Sequence, residues 1–356
     1  MQLGIIGLPQ SGKTTIFNAL TEGDQPTIQS GGRFDVHTAV VNVPDPRVDR
    51  LAELYQPRKI TYAKVTYSDI AGLEGSDRKT GFSGPLLTTL SQMDGFVHVV
   101  RCFENASVPH PFGELNPLRD LNALNTEMLL NDLLLVERRL ERLADEMKKG
   151  GGRDKALVAR EISLFERLQE ALASEIPLRT LEFSDEELKT VSGFGFLTQK
   201  PMLILFNTTE GQPLPCVDYP GGRCEVVALQ GKLEMDIAQL NAEDSEVFMT
   251  EYGITESGLK RVINQSYCLM ELCSFFTVGE DEVRAWTIPV GATAWDAAGA
   301  IHSDLQKGFI RAEVVSYQDL IDLGSLSAAR NAGKLRLEGK DYVVQDGEIV
   351  HIRFNI

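Results

Sequence analysis

The amino-acid sequence predicts an α/β protein: a doubly wound, mostly parallel sheet, an antiparallel helical hairpin inserted into it, and a small β-grasp module at the end. Three patterns carry that reading. Five short apolar runs, at residues 3–6, 65–67, 96–100, 202–206 and 226–228, alternate with helical segments, the order that makes parallel strands covered by helices on both faces. Between the third and fourth runs, Leu133, Val136, Leu140, Leu143 and Met147 fall three and four apart, the spacing of a helix–helix seam. Beyond Cys273 the texture becomes short strand-like runs at 283–290, 312–316, 342–344 and 350–354 around one helix near Trp295, the make-up of a mixed sheet carrying a helix.

The hairpin follows from its middle. A second seam runs through Val158, Ile162, Phe165 and Leu172, and between the two lie Gly150, Gly151 and Gly152, whose backbone freedom makes a continued helix costly. The expected division is 1–115 with 198–272 for the sheet domain, 116–197 for the helical arm and 273–356 for the β-grasp module. The seam itself is core packing; only the arm's charged outer face is free to meet a partner.

With 356 residues, 43% of them hydrophobic, the chain can bury a sizeable core in two or three domains. Its formal charge of −16 excludes general wrapping of nucleic acid by a basic surface, so contact with RNA must come from a local patch such as Arg284, Lys307, Arg311 and Lys340. Five cysteines, odd in number and without a CxxC pair, predict neither a disulfide framework nor a zinc site and fit a reducing compartment. The chain opens directly on a strand, and no apolar stretch is long enough to cross a bilayer, so a cytoplasmic monomer without membrane association is expected.

The chemistry starts at Gly7-Leu8-Pro9-Gln10-Ser11-Gly12-Lys13-Thr14, a full match to G-x-x-x-x-G-K-[ST] between a strand and a helix. Glycines there let backbone N–H groups cradle phosphate oxygens at a helix start, so Gly7, Pro9, Gln10, Ser11, Gly12, Lys13, Thr14 and Thr15 are expected to bind the nucleotide. Lys13 would reach the terminal phosphates, and Thr14 with Asp69 would hold Mg²⁺. Asp69-Ile70-Ala71-Gly72 ends the second apolar run, and the Gly72 amide is placed to sense the γ-phosphate. The next residue is Leu73, where Ras-like switches carry the glutamine that orients water; an apolar side chain cannot do that. After the fourth run comes Asn207-Thr208-Thr209-Glu210 in place of the guanine-selecting Asn-Lys-x-Asp. Asn207 can still reach a purine, but Glu210 is longer than Asp and Thr208 lacks a lysine stem, which relaxes the preference for guanine. Ala228 and Leu229 mark a further base-contacting loop.

In these residues the chain resembles the YchF or Obg-like ATPase family of P-loop proteins. The resemblance runs through the phosphate loop into Phe17-Asn18-Ala19-Leu20-Thr21, then Val43-Pro44-Asp45-Pro46-Arg47, Asp69 to Leu73, Arg101-Cys102-Phe103-Glu104-Asn105, Asn207 with Glu210, and Lys307-Gly308-Phe309-Ile310-Arg311-Ala312. The last stretch is similar to the family's TGS domain, a β-grasp module. The resemblance implies a P-loop nucleoside triphosphatase that binds ATP and ADP in preference to GTP, hydrolyses slowly, and associates with the ribosome or its RNA. It also implies that His110 replaces the missing glutamine, alongside Lys13 and Gly72 in catalysis. Where the family commonly has Asn-Val this chain has Gln10-Ser11, so dependence on a monovalent cation stays open. Residues 31–38 do not match the family's first switch, and the loop at 74–84 is reduced.

Three functions compete at this point. The first is a nucleotide-driven switch, ATP-using or, alternatively, GTP-preferring. The second is a scaffold that holds nucleotide without useful turnover, which Leu73 permits. A small-molecule kinase is the third; it needs an Arg-rich lid and an acceptor pocket, neither of which the sequence offers.

Overall fold

Runs of five to seven residues with few polar side chains pair edge to edge and bury both faces, which is how the central sheet forms. The structure, a computed structural model, describes residues 1–23, 36–71, 82–149, 153–209, 212, 215, 222–252, 254 and 257–355. In chain order the strands are β1 (Gln2–Ile6), β2 (Val36–Asn42), β3 (Lys59–Thr61), β4 (Lys64–Ile70), β5 (Gly95–Arg101), β6 (Met202–Asn207), β7 (Cys224–Leu229), β8 (Leu272–Thr277), β9 (Glu282–Pro289), β10 (Phe309–Val315), β11 (Arg336–Glu338) and β12 (Ile349–Phe354). The helices are α1 (Lys13–Thr21), α2 (Pro46–Tyr55), α3 (Gly84–Gln92), α4 (Pro117–Lys149), α5 (Lys155–Ala173), α6 (Asp185–Val191), α7 (Gly231–Ala238), α8 (Ala242–Glu251), α9 (Gly258–Leu269), α10 (Ala294–Ile301), α11 (Ser303–Lys307), α12 (Tyr317–Leu323) and α13 (Leu326–Asn331).

The first sheet has the order β2-β4-β1-β5-β6-β7, and β4, β1, β5, β6 and β7 run parallel. All five expected runs lie in it. Every residue of β5 and β6 is buried, as a central parallel strand requires. On one face Phe96, Val100, Ile204 and Phe206 pack against Leu86 and Leu90 of α3 and Leu121, Leu124 and Met128 of α4.

The helical arm continues this unit. α4 and α5 close on Val136, Phe165, Leu168 and Leu172, and Phe165 meets the stacked rings of Phe194 and Phe196. Of the expected seam, Val136 and Leu143 are buried, whereas Met147 is exposed. The three glycines of the turn lie outside the described residues. At the base of the arm Asp132, fully buried on α4, accepts the N–H groups of Leu197 and Thr198 and the Thr198 hydroxyl at 2.7–3.0 Å, tying the arm to the segment that enters β6.

Further along, Glu161 of α5 accepts Arg139 Nε at 2.7 Å and Arg153 Nη2 at 2.8 Å. Burial alone would raise its pKa; hydrogen bonds and charge from Arg153 and Arg139 outweigh that and bring it below the usual glutamate range. A carboxylate with a lowered folded pKa adds stability above its unfolded value of 4.5 and loses it as pH falls through the folded one. Thermal unfolding followed by circular dichroism is therefore expected to show the arm weakening below pH 4.5, with the loss blunted in Glu161→Gln.

The chain forms two compact units, Met1–Ala39 with Thr66–Leu259, and Val40–Val65 with Lys260–Ile356. This corrects the expected division, which left 40–65 in the sheet domain and set the arm apart. The cause is pairing far along the chain: β3 runs parallel to β9, with Ile60 opposite Val283. α2 starts with Asp45 as its cap and Pro46 in its first turn, and buries Val48 and Leu51.

In the second unit the strand order is β11-β10-β12-β8-β9-β3. One face packs Phe275, Ile288, Val314 and Ile352 against Ala294, Ala297 and Ala298 of α10, a β-grasp arrangement. The expected strand at 342–344 is irregular backbone with a single bridge, Thr293 to Val343, and four helices stand where one was expected. Among the described residues no helix is long and apolar enough to cross a membrane.

Candidate nucleotide site

β1 ends at Ile6 and α1 begins at Lys13, so six residues must reverse the chain against the ends of β5 and β6. Two glycines make that approach feasible. A Cβ on Gly7 (φ +152) would lie 2.3 Å from the Val99 carbonyl oxygen, and one on Gly12 (φ +92) would lie 2.2 Å from Asn207 Nδ2. Gln10 itself adopts a left-handed φ of +62. The cap position of α1 is Gly12, no side chain caps it, and the first turn carries no acidic residue, the setting in which a helix start receives an anion.

Register sets the cation side. β1 pairs with β4 so that Ile5 stands opposite Asp69, which brings the Asp69 carboxylate to the start of α1. Thr14 Oγ1 donates to Asp69 Oδ2 at 2.7 Å, and Asp69 is 3% exposed. Burial raises the Asp69 pKa, against the opposing pull of the Thr14 hydrogen bond and the Lys13 charge, and among the described residues Oδ1 has no hydrogen-bond partner. A desolvated carboxylate with an open oxygen beside a hydroxyl suits a hard divalent cation, so these residues fit Mg²⁺. Lys13 Nζ donates to the carbonyls of Gly7 and Leu8, each at 3.0 Å, and so lies folded over the loop it would serve.

On the base side, Asn207 acts as a clamp. Its Nδ2 donates to the Ser11 carbonyl at 3.0 Å, and its Oδ1 accepts the Gly231 N–H at 3.1 Å, joining the phosphate loop to the start of α7. Sequence reasoning gave Asn207 to the purine; in the fold one Nδ2 hydrogen and one Oδ1 lone pair go to the protein, and one of each is left over. Thr208 is buried with its N–H on the Leu229 carbonyl. Leu229 is itself buried, its side chain close to Gly258. Ala228, its neighbour in β7, is half-buried. Gly72, Leu73 and Glu210, together with residues 31–35 and 74–81, lie outside the described residues.

His110 is held close by. It shares a small cavity with Leu8, Pro9 and Ser11 of the phosphate loop and with His98 and Arg101 of β5. Its side chain is 5% exposed, and both ring nitrogens are engaged, with Asp120 and with the Phe112 N–H. Sequence reasoning missed His98, Arg101 and Asp120 as parts of this site. Burial drives the His98 pKa down to about 3, so the ring is neutral. Arg101 donates to the carbonyls of Phe103 and Val108 at 3.0 and 2.8 Å and holds the loop that carries His110. Arg101 belonged to the stretch that carries the family resemblance, but nothing in its spacing announced this role.

Arg311 of β10 faces Arg353 of β12, whereas Arg284 of β9, two strands beyond β12, stacks on Trp286 at 3.8 Å.

A parallel sheet with a glycine-bounded loop, an uncapped helix start and a Thr–Asp pair defines a P-loop nucleoside triphosphatase. Residues 272–355 match the YchF-GTPase_C family, described as "Protein of unknown function (DUF933)". The chain is 40% identical to the "Ribosome-binding ATPase YchF" of Bacillus subtilis (strain 168) and 41% identical to that of Escherichia coli O157:H7, each over 365 aligned positions and 99% of both chains. A solved structure, "Structure of the Schizosaccharomyces pombe YchF GTPase", is similar with a TM-score of 0.84 and 31% identity, over 99% of this chain and 97% of that one. The chain belongs to the YchF family.

Proposed function

We propose that this protein is a nucleotide-dependent switch that binds ATP with Mg²⁺ in preference to GTP, hydrolyses it slowly, and works on the ribosome in the cytoplasm. The observation that carries the reading is the Thr14–Asp69 pair beside an uncapped helix start. On entry of a triphosphate, Lys13 exchanges the Gly7 and Leu8 carbonyls for phosphate oxygens. Asn207 keeps the phosphate loop and α7 in one frame, so the loop amides need little rearrangement to receive charge. Thr14 and Asp69 would hold Mg²⁺, which when bound neutralises charge on the phosphate oxygens. The inward-turned Thr208 and the longer Glu210 motivate relaxed guanine selection. The names of the bacterial relatives motivate ATP and the ribosome; the fission-yeast structure is titled a GTPase.

Calorimetric titration with ATP, ADP, GTP and GDP, with and without Mg²⁺, tests this. ATP is expected to bind roughly tenfold tighter than GTP, a difference of about 1.4 kcal/mol. Asp69→Asn is expected to remove most of the gain that Mg²⁺ gives to ATP affinity. Tighter GTP than ATP turns the reading to a GTPase; no purine nucleotide bound at millimolar concentration ends it. Co-sedimentation with ribosomes in the presence of each nucleotide tests the partner. A holding scaffold is the second reading, favoured by the engagement of both His110 nitrogens. Single-turnover phosphate release no faster than hydrolysis in solution, with and without ribosomes, would decide for it.

A further inference from the structure

The loop after β5 folds back on the first turn of α4 and brings His110 to Asp120. His110 Nε2 is 2.7 Å from Asp120 Oδ2, and the Phe112 N–H donates to His110 Nδ1 at 3.1 Å. A nitrogen that accepts a backbone N–H carries no hydrogen, so the hydrogen sits on Nε2 and points at the carboxylate. Neither nitrogen is left to exchange a proton with water. The other Asp120 oxygen accepts Arg119 Nε at 3.0 Å and Nη2 at 2.8 Å. Arg119 Nη2 also donates to the Glu114 carbonyl at 2.8 Å, and the guanidinium lies over the Phe112 ring at 5.1 Å. The pair is thus sealed, with both side chains 5% exposed, and borders the same cavity as Leu8, Pro9 and Ser11 of the phosphate loop.

We infer that Asp120 is a positioning residue that parks His110, so that His110 meets the attacking water only after leaving Asp120, and the strength of this contact sets the low basal rate of hydrolysis. The inference rests on the reading of His110 as the group that acts on that water. A histidine with both nitrogens committed is idle while the contact lasts, and a hydrogen bond to a buried carboxylate is strong enough to keep most molecules in that state. The placement of Asp120 on α4 gives the contact a handle, because the same helix runs on into the arm.

The test is a double-mutant cycle of Asp120→Ala and His110→Ala, read by single-turnover phosphate release and by ATP affinity. Asp120→Ala is expected to raise hydrolysis roughly tenfold with ATP affinity unchanged. The double variant is expected to fall to the rate of His110→Ala. An Asp120→Ala protein that binds ATP normally but hydrolyses no faster overturns the inference, as does an increase that persists without His110. Wild-type hydrolysis by His110→Ala removes the reading beneath it; failure to bind any nucleotide instead sinks the proposed function and is seen separately. Should Asp120→Ala not fold, nitrogen-15 spectra of the wild-type His110 ring give the answer. The nucleotide-free protein should show hydrogen on Nε2 and a bare Nδ1, and this pattern should change when Mg²⁺ and a non-hydrolysable ATP analogue bind. An unchanged ring spectrum with the analogue bound overturns the inference.

Discussion

Lys13→Ala is expected to weaken ATP binding roughly 10- to 100-fold, the loss of a hydrogen-bonded cation against phosphate, and to slow hydrolysis by about 10²- to 10³-fold. The larger effect on rate arises because charge moves onto phosphate oxygens as the bond breaks, and a preorganised donor counts for most there. The resting protein should tolerate the change. Lys13 donates to two carbonyls of its own loop, and Gly7 and Gly12 keep the path of that loop without it. Fluorescence titration with a labelled ATP and a phosphate-release assay measure the two effects, with thermal unfolding as the control for fold. ATP affinity equal to wild type would falsify the assignment of this loop as the phosphate site.

Gly12→Ala attacks the same loop by geometry rather than charge. The new Cβ would meet Asn207 Nδ2 at 2.2 Å in a backbone conformation that L-residues avoid. Asn207 is 4% exposed and wedged between the Ser11 carbonyl and the Gly231 N–H, so it has little room to retreat. Left-handed strain and a broken clamp together are expected to cost about 3 kcal/mol of stability. Because α1 and α7 are joined through that amide, ATP affinity should fall about a hundredfold as well. Denaturant unfolding and calorimetry of the same sample separate the two losses. A variant that keeps its stability but loses ATP would place the damage in the loop alone.

Legibility in the sequence followed burial and locality. Strands buried on both faces, such as β5 and β6, declare themselves as unbroken apolar runs. β2 alternates half-buried with exposed residues, and β3 and β11 have three residues each, so no run marks them. Membership of 40–65 in the second unit depends on β3 meeting β9, a partner with no local trace. The irregular stretch at 342–344 read as a strand because Tyr342, Val343 and Val344 are apolar in sequence; in the fold the Tyr342 carbonyl accepts the Ala294 N–H and helps to start α10.

The site divides the same way. Contiguous residues that bind through backbone and one lysine form a motif, and the whole of Gly7 to Thr14 was readable. Asn207 was readable as a position, but its engagement by Ser11 and Gly231 was not, since both lie far from it in the chain. His110 was readable as a place, while its state depends on a carboxylate ten residues on, for which no spacing rule exists.

The split second unit has a consequence for its assembly on the elongating chain. All residues of the first unit have been joined by Leu259, but Lys59, Ile60 and Thr61 must wait for Glu282, Val283 and Arg284. At roughly 5–20 residues per second that delay lasts on the order of 10–45 s. Throughout it Val48 and Leu51, fully enclosed in the finished protein, have no finished core to enter. The nascent protein therefore carries an apolar loop between two early-made strands whose partners are not complete until the segment from Lys260 onward has been joined.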